Sequence, residues 1–182
     1  MGELVSAIEC IAADGSILPP YFIFKGTFHM ERWYNSEIPS NYRIALSPKG
    51  YTTDAIGFDW IHHFDRYTRP RLQQKNEPRL LLFDGHGSHL TYEFLEFCKQ
   101  ISIIPYCFPS HTTHLIQPLD GQPFQAYKHY YRKRNNFLAG LGVETDDKGA
   151  FLKEIPDVRK QTSKRGQFEI LLKSEASIHS IL

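Results

Sequence analysis

Apolar residues along this chain fall into two alternating kinds of run. Leu4 to Ala12 is largely apolar and partly β-branched, which predicts a strand, and Asp14-Gly15 then gives a strong turn signal. Tyr21-Phe22-Ile23-Phe24 follows as a second strand, so the opening reads as an antiparallel hairpin, with Pro19-Pro20 tolerated only at its start or on an edge. The densest run is Leu80-Leu81-Leu82-Phe83, which ends at the carboxylate Asp84 and the turn Gly85-His86-Gly87-Ser88-His89; a short unbroken apolar run of this kind suits a strand buried on both faces. Ile101 to Phe108 predicts another buried strand, with Pro105 suggesting an edge or a bulge. Between these runs the period lengthens. Ile56, Trp60, Ile61 and Phe64 recur at helical spacing behind a Thr53 cap, and Phe94, Leu95 and Cys98 do so behind Thr91, in a helix running to about Gln100. Pro118-Leu119-Asp120 introduces a helical segment striped by Phe124, Tyr127, Tyr131 and Leu138 and stopped by Gly140 and Gly142. Phe151 to Lys164 is helical in pattern apart from Pro156, and Gly166 to Leu182 is amphipathic without clear caps. Lys25 to Gly50, rich in Gly, Asn, Ser and Pro around isolated aromatics, reads as an ordered connection with at most short elements.

Composition narrows this picture a little. With 182 residues, 41% hydrophobic and 14% aromatic, the chain has the makings of one globular domain and not of a disordered segment. The net charge of +1 confines any nucleic-acid contact to local patches. Three irregularly spaced cysteines argue against a disulfide framework and for a reducing compartment. No apolar run approaches the roughly 20 residues that span a bilayer, so no membrane partner is expected. Met1-Gly2 with Ser6 satisfies the loose myristoylation pattern, which is read as coincidence because a strand begins there. His62-His63 are expected on a polar helix edge, and Asp14 is explained by its turn.

The order helix, strand, helix, strand, loop, helix gives the carboxylates their interest. In a right-handed strand-helix-strand unit both strand ends reach the same edge of the sheet. Asp84 follows the first strand, and Asp120 precedes the helix after the second, so the two can converge there. Paired carboxylates are hard oxygen ligands suited to Mg²⁺ or Mn²⁺, and two such ions about 3.5–4 Å apart clamp the attacking and leaving oxygens of a phosphodiester. Past Asp120 the chain turns basic: Lys128, Arg132, Lys133 and Arg134 are interleaved with Tyr127, His129, Tyr130 and Tyr131, and no acid occurs from Gly121 to Val143. Such a face can hold phosphates electrostatically, which points to DNA as partner.

Three stretches carry a resemblance to a known family: Ile8–Gly26 (I-E-C-I-A-A-D-G-S-I-L-P-P-Y-F-I-F-K-G), Leu80–Thr91 (L-L-L-F-D-G-H-G-S-H-L-T) and His114–Gly121 (H-L-I-Q-P-L-D-G). From about Val5 to about Lys164 the chain resembles the pogo-type DDE transposases, which include Tigger- and Jerky-like proteins and centromere protein B. The resemblance implies an α/β, RNase H-like mixed sheet flanked by helices and a Mg²⁺- or Mn²⁺-dependent site that cuts and joins DNA strands. It places the second acid of the family triad on Asp84 and the third on Asp120, as both catalytic and metal-binding residues, and it implies a nuclear protein. The family's first acid sits on a strand upstream of the hairpin, where this sequence has only Met1 to Leu4. The expectation is therefore a partial, N-terminally truncated endonuclease domain over residues 1–143, lacking the first, central strand, with a helical extension over 144–182. Gly121-Gln122-Pro123 also departs from the smaller apolar residues usual there. The function expected is that of a transposase-derived nucleic-acid-binding domain with a remnant strand-cleavage site, inactive alone for want of the first acid. Self-association stays open. Two alternatives stand beside it: a domesticated, non-catalytic DNA- or protein-binding module, and a zinc-stabilised interaction module using His86, His89, His111 and His114, with Cys107 as a further donor.

Overall fold

The computed structural model describes residues 5–34, 38–74, 77–83, 91–107, 122–142 and 148–164. Over these the architecture is mixed α/β, with strands β1 (Val5–Ile8), β2 (Tyr21–Lys25), β3 (Arg43–Ser47), β4 (Arg79–Phe83) and β5 (Ile103–Cys107). The helices are α1 (Asp54–Thr68), α2 (Tyr92–Gln100), α3 (Gln122–Gly140) and α4 (Lys148–Lys164). This matches the α/β, RNase H-like class expected from the sequence.

The hairpin forms as its turn chemistry dictates. β1 and β2 pair antiparallel, and an Ile11–Ile17 bridge carries the pairing up to the turn. There Gly15 sits at φ +80°, and the Asp14 carboxylate accepts a 2.8 Å bond from the Ser16 amide. β2 then becomes the pivot of the fold. Its odd residues Tyr21 and Ile23 enter a core with α1, α2, β4 and β5, while Phe22 and Phe24 enter a second core with Phe151, Leu152, Ile155 and Val158 of α4. All four are at most 1% exposed, as a strand covered on both faces requires.

β3 is a strand where the sequence predicted only short connecting elements. It runs parallel to β2, with Phe22 opposite Ile44 and Phe24 opposite Leu46. The run Arg43-Ile44-Ala45-Leu46-Ser47 is too short and too flanked by turn residues for its period to stand out; β2 supplies the template.

Both capped helices form as predicted. Thr53 and Thr91 are extended, and each hydroxyl accepts the amide three residues on, from Ile56 and Phe94, at 3.3 Å. α1 buries Ile56, Trp60, Ile61 and Phe64 and ends where Pro70 disfavours further helix. His63, expected at a polar edge, is instead buried: its Nε2 donates to the Pro19 carbonyl at 2.8 Å, and its ring meets Tyr21 and Tyr67. His62 is the exposed one, its ring tilted against Phe97 with the centroids 3.9 Å apart.

β4 and β5 pair in parallel through α2, with Leu81 opposite Pro105 and Phe83 opposite Cys107. Arg79 anchors the start of β4. Its guanidinium reaches Asp65 and Thr68 of α1 and the Ile101 carbonyl after α2, each at 2.8 Å. β5 is less buried than its composition predicts: Ile103 is covered, but Ile104 and Tyr106 are each 53% exposed. It is an edge, as Pro105 requires. Among the described residues the two sheets share no strand pairing, so β1 and β4 each keep one edge without a strand neighbour. Leu81 and Phe83 nevertheless lie in the same core as Tyr21, Ile23 and α1.

Candidate metal and nucleic-acid site

The β4–α2–β5 unit supplies the geometry on which the carboxylate argument depended. The strands are parallel, and their last described residues, Phe83 and Cys107, stand side by side. Asp84 is the residue after Phe83 in sequence, and Asp120 comes two before Gln122, the first residue of α3. Both carboxylates lie outside the described residues, as do the histidines 86, 89, 111 and 114 of the zinc alternative. Among the described residues no group of three or more His, Cys, Asp or Glu is arranged to hold a metal. Phe83 is 1% exposed and Leu81 fully buried, so the end of β4 that precedes Asp84 in sequence is fixed in the core.

Nor do Cys10 and Cys98 offer chemistry of their own. Burial pushes the thiols of Cys10 and Cys98 up to about 12, which keeps both protonated and poor as nucleophiles or metal ligands near neutral pH.

α3 presents the basic residues. Lys128, Arg132 and Lys133 are exposed, together with His129 and Asn136, and no ion pair among the described residues engages the three cations. Lys128, Arg132 and Asn136 follow one another at four-residue steps, and His129 and Lys133 do the same one position on. The result is a single polar stripe about 12 Å long on the outer side of the helix. The inner side carries Tyr130 and Tyr131, which pack on the second core; the Tyr131 ring stands edge-on to Phe151 at 5.4 Å. Tyr130 and Tyr131 are thus held in the core that α4 shares, and Lys128, Arg132 and Lys133 are left outside. Arg134 belongs to α3, but its side chain is outside the described residues, as are those of Phe124 and Tyr127.

Sequence reasoning missed the device that fastens this layer to the hairpin. Arg159 of α4 donates from Nε and Nη2 to the two carboxylate oxygens of Glu9 at 2.9 and 2.7 Å, and from Nη2 to the Leu18 carbonyl at 2.9 Å. Glu9 lies within the I-E-C stretch quoted for the resemblance, but its partner is 150 residues away and no periodicity announces it.

Comparison with known proteins agrees with this architecture. A family model described as DDE superfamily endonuclease matches residues 2–176. Among curated proteins, the chain is 39% identical over 131 residues to a protein of Cochliobolus lunatus named MFS-type transporter clz9, covering 72% of this chain and 14% of that protein. It is 25% identical over 127 residues to the human pogo transposable element with ZNF domain, covering 70% of this chain and 8% of that one. The chain therefore spans a small fraction of the length of both relatives, and no helix among its described residues is long and apolar enough to cross a membrane. No solved structure matches. With nearly its whole length matched by the family model, this chain belongs to the DDE superfamily endonucleases, a transposase-related family.

Proposed function

We propose that these 182 residues act as a DNA-contacting, transposase-derived domain whose inherited strand-cleavage site is incomplete and does not turn over by itself. Asp84 and Asp120 are its metal-ligand positions, and Lys128, Arg132, Lys133 and Arg134 its phosphate contacts. The observation that carries the reading is the parallel β4–α2–β5 unit together with a helix whose described basic side chains, Lys128, Arg132 and Lys133, are exposed and in no ion pair among the described residues. The chain's own groups would do two things. The basic stripe would hold the backbone of a duplex, and the two carboxylates would hold Mg²⁺ or Mn²⁺, whose chemistry when bound is to polarise the scissile phosphate and its attacking water. Two carboxylates offset the charge of one divalent ion but only half that of two, which is the physical reason for expecting no turnover. The first acid of the family triad is the one these 182 residues do not supply. Among the described residues β1 and β4 each have an edge without a strand neighbour and share one core, which favours a further strand between them as its natural place. DNA as substrate implies a nuclear protein.

The test combines two measurements on one preparation. Supercoiled plasmid incubated with the chain and Mn²⁺ is expected to stay intact, and nicking that disappears in Asp84→Asn would overturn the inactive reading. Duplex binding is expected to weaken steeply with salt, and Arg132→Ala/Lys133→Ala should lower the slope of log affinity against log salt by about 2. An unchanged slope would remove α3 from the interface. Duplex binding that persists in Asp84→Asn is the expected result for a domain that holds DNA without cutting it.

A further inference from the structure

A second surface combines the two things a nucleotide offers, a flat apolar face and a negative charge. It is built where β2 and β3, being parallel, end together. From β2 the chain passes Gly26 into Phe28, His29 and Met30 and then a single 3-10 turn, Glu31–Tyr34. Phe28 is 79% exposed and Tyr34 49% exposed, and Tyr51, beyond the end of β3, is 58% exposed. Large rings left in water at this density mark an interaction site more often than chance.

They are not loosely placed. His29 Nδ1 and the Tyr34 hydroxyl share a 2.6 Å hydrogen bond, and the His29 ring leans edge-on against Trp33 at 6.2 Å. Trp33 is 4% exposed, wedged against Phe24, with the Lys148 ammonium 5.1 Å from its ring centre. Lys148 in turn donates to the Lys25 carbonyl at 2.7 Å. The β3 side is tied to the same point: the Gly26 amide bonds to the Ser47 carbonyl at 3.0 Å, and the Ser47 hydroxyl donates to the Tyr51 carbonyl at 2.8 Å. Gly50, at φ +78°, approaches so closely that a Cβ there would lie 3.3 Å from Lys25. The rings therefore project from a braced base. Around them Lys25, Arg32 and Lys49 are exposed and without ion pairs among the described residues, against Glu31 as the one acid between Lys25 and Tyr34.

We propose that this end of the β2–β3 sheet is a stacking platform for unpaired nucleotides, with Phe28 and Tyr34 taking bases and Lys25, Arg32 and Lys49 the phosphates between them. Exposed rings among free cations fit a single strand, because every base has a stacking face and every linkage a charge. A duplex keeps its bases stacked on one another and gains only from the cations. The platform rests on the reading of this chain as a DNA-contacting domain, and it gives that domain a way to hold a strand parted from its complement, which the α3 stripe alone does not provide.

The experiment is fluorescence anisotropy on the full chain with two probes: a short labelled oligothymidylate, and a duplex of the same length. Phe28→Ala/Tyr34→Ala is expected to weaken binding to the single strand about tenfold or more, stacking being worth that much per base. It should leave duplex binding within twofold, and Phe28→Tyr/Tyr34→Phe should retain single-strand affinity. All four changes lie on exposed rings, and an unchanged thermal transition serves as the control for folding. Equal loss on both probes, or loss on neither, would overturn the platform; loss on neither is also what a patch serving a protein partner would give. The α3 variant Arg132→Ala/Lys133→Ala separates this from the parent reading. Duplex binding that ignores the α3 change while single-strand binding follows Phe28 and Tyr34 sinks the α3 interface and keeps the platform. Failure of the wild-type chain to bind either probe overturns both.

Discussion

β2 and β4 are written in nearly the same alphabet and end in different surroundings. Tyr21-Phe22-Ile23-Phe24 and Leu80-Leu81-Leu82-Phe83 are both four-residue apolar runs, the pattern of a strand covered on both faces. β2 has β1 on one side, β3 on the other and a helical layer on each face, and none of its four residues exceeds 1% exposure. Among the described residues β4 pairs with β5 alone; Leu81, Leu82 and Phe83 are buried, while Arg79 and Leu80 are left half-covered. The same hydrophobic signal thus reports how much apolar cover a strand can use, and not how much it has. A run like that of β4 with one neighbour is a strand with capacity for another.

The widest difference between the two regions is how each is fastened. The hairpin is stapled to α4 by the Glu9–Arg159 pair, whose side chains are 7% and 16% exposed. Removing one partner leaves a buried charge alone, so Glu9→Ala or Arg159→Ala is expected to cost about 3–5 kcal/mol. Urea unfolding would show it, with a melting temperature lower by about 2–4 °C per kcal/mol for a domain of this size. Replacing both with apolar residues of similar volume, as in Glu9→Met/Arg159→Leu, should recover most of the loss. Full stability in either single variant would mean that the pair is solvated and that packing alone holds α4.

The strands themselves allow a sharper contrast. Deleting a buried aliphatic side chain costs about 2–5 kcal/mol, more where the surroundings cannot relax into the space. Ile23, at 0% exposure between two neighbouring strands, is expected near the top of that range on Ile23→Ala, and Leu82, at 6% beside an open edge, near the bottom on Leu82→Ala. Hydrogen exchange should repeat the order, with β2 amides the slowest in the chain and β4 amides faster. Equal protection would show that something already covers the β4 edge.

How far the sequence could be read follows the same divide between local and distant causes. The two capped helices, the Asp14-Gly15 turn, the β4 run and the edge character of Pro105 all rest on signals within a few residues, and all were legible. β3 was not, because five residues gain their strand character from β2 alone. His63 was not, because its neighbours in sequence are polar or aromatic while its hydrogen-bond partner is the Pro19 carbonyl, 44 residues away. Of the candidate site, the motifs pointed to Asp84 and Asp120, and helical spacing gathered Lys128, Arg132 and Lys133 on one stripe. The stacking surface was hidden because Phe28 and Tyr34 in a loop look the same in sequence whether they are exposed or, like Trp33, buried.

His63 and Asp14 also separate the molecule's responses to acid, and this is the smallest effect expected. Burial lowers the pKa of the His63 imidazole, and the bond to the Pro19 carbonyl, which acts the other way, does not offset it. Above the ordinary value of 6.5, His63 is neutral in both folded and unfolded chains and stability is complete. As pH falls through 6.5 the unfolded chain takes up a proton that the folded one resists, so stability declines until the lower folded pKa is reached. Asp14 responds further down the scale. Its hydrogen bonds from Ser16 hold its carboxyl below 3.8, so its contribution is present above that value and lost as pH falls through the lowered one. His63→Gln keeps an amide able to donate to Pro19 and removes the titration. It should flatten the stability profile just below pH 6.5 while leaving the more acidic limb unchanged. A profile that still declines there would assign that limb to groups other than His63, and with it the claim that burial at the α1–hairpin contact is tight enough to keep a proton out.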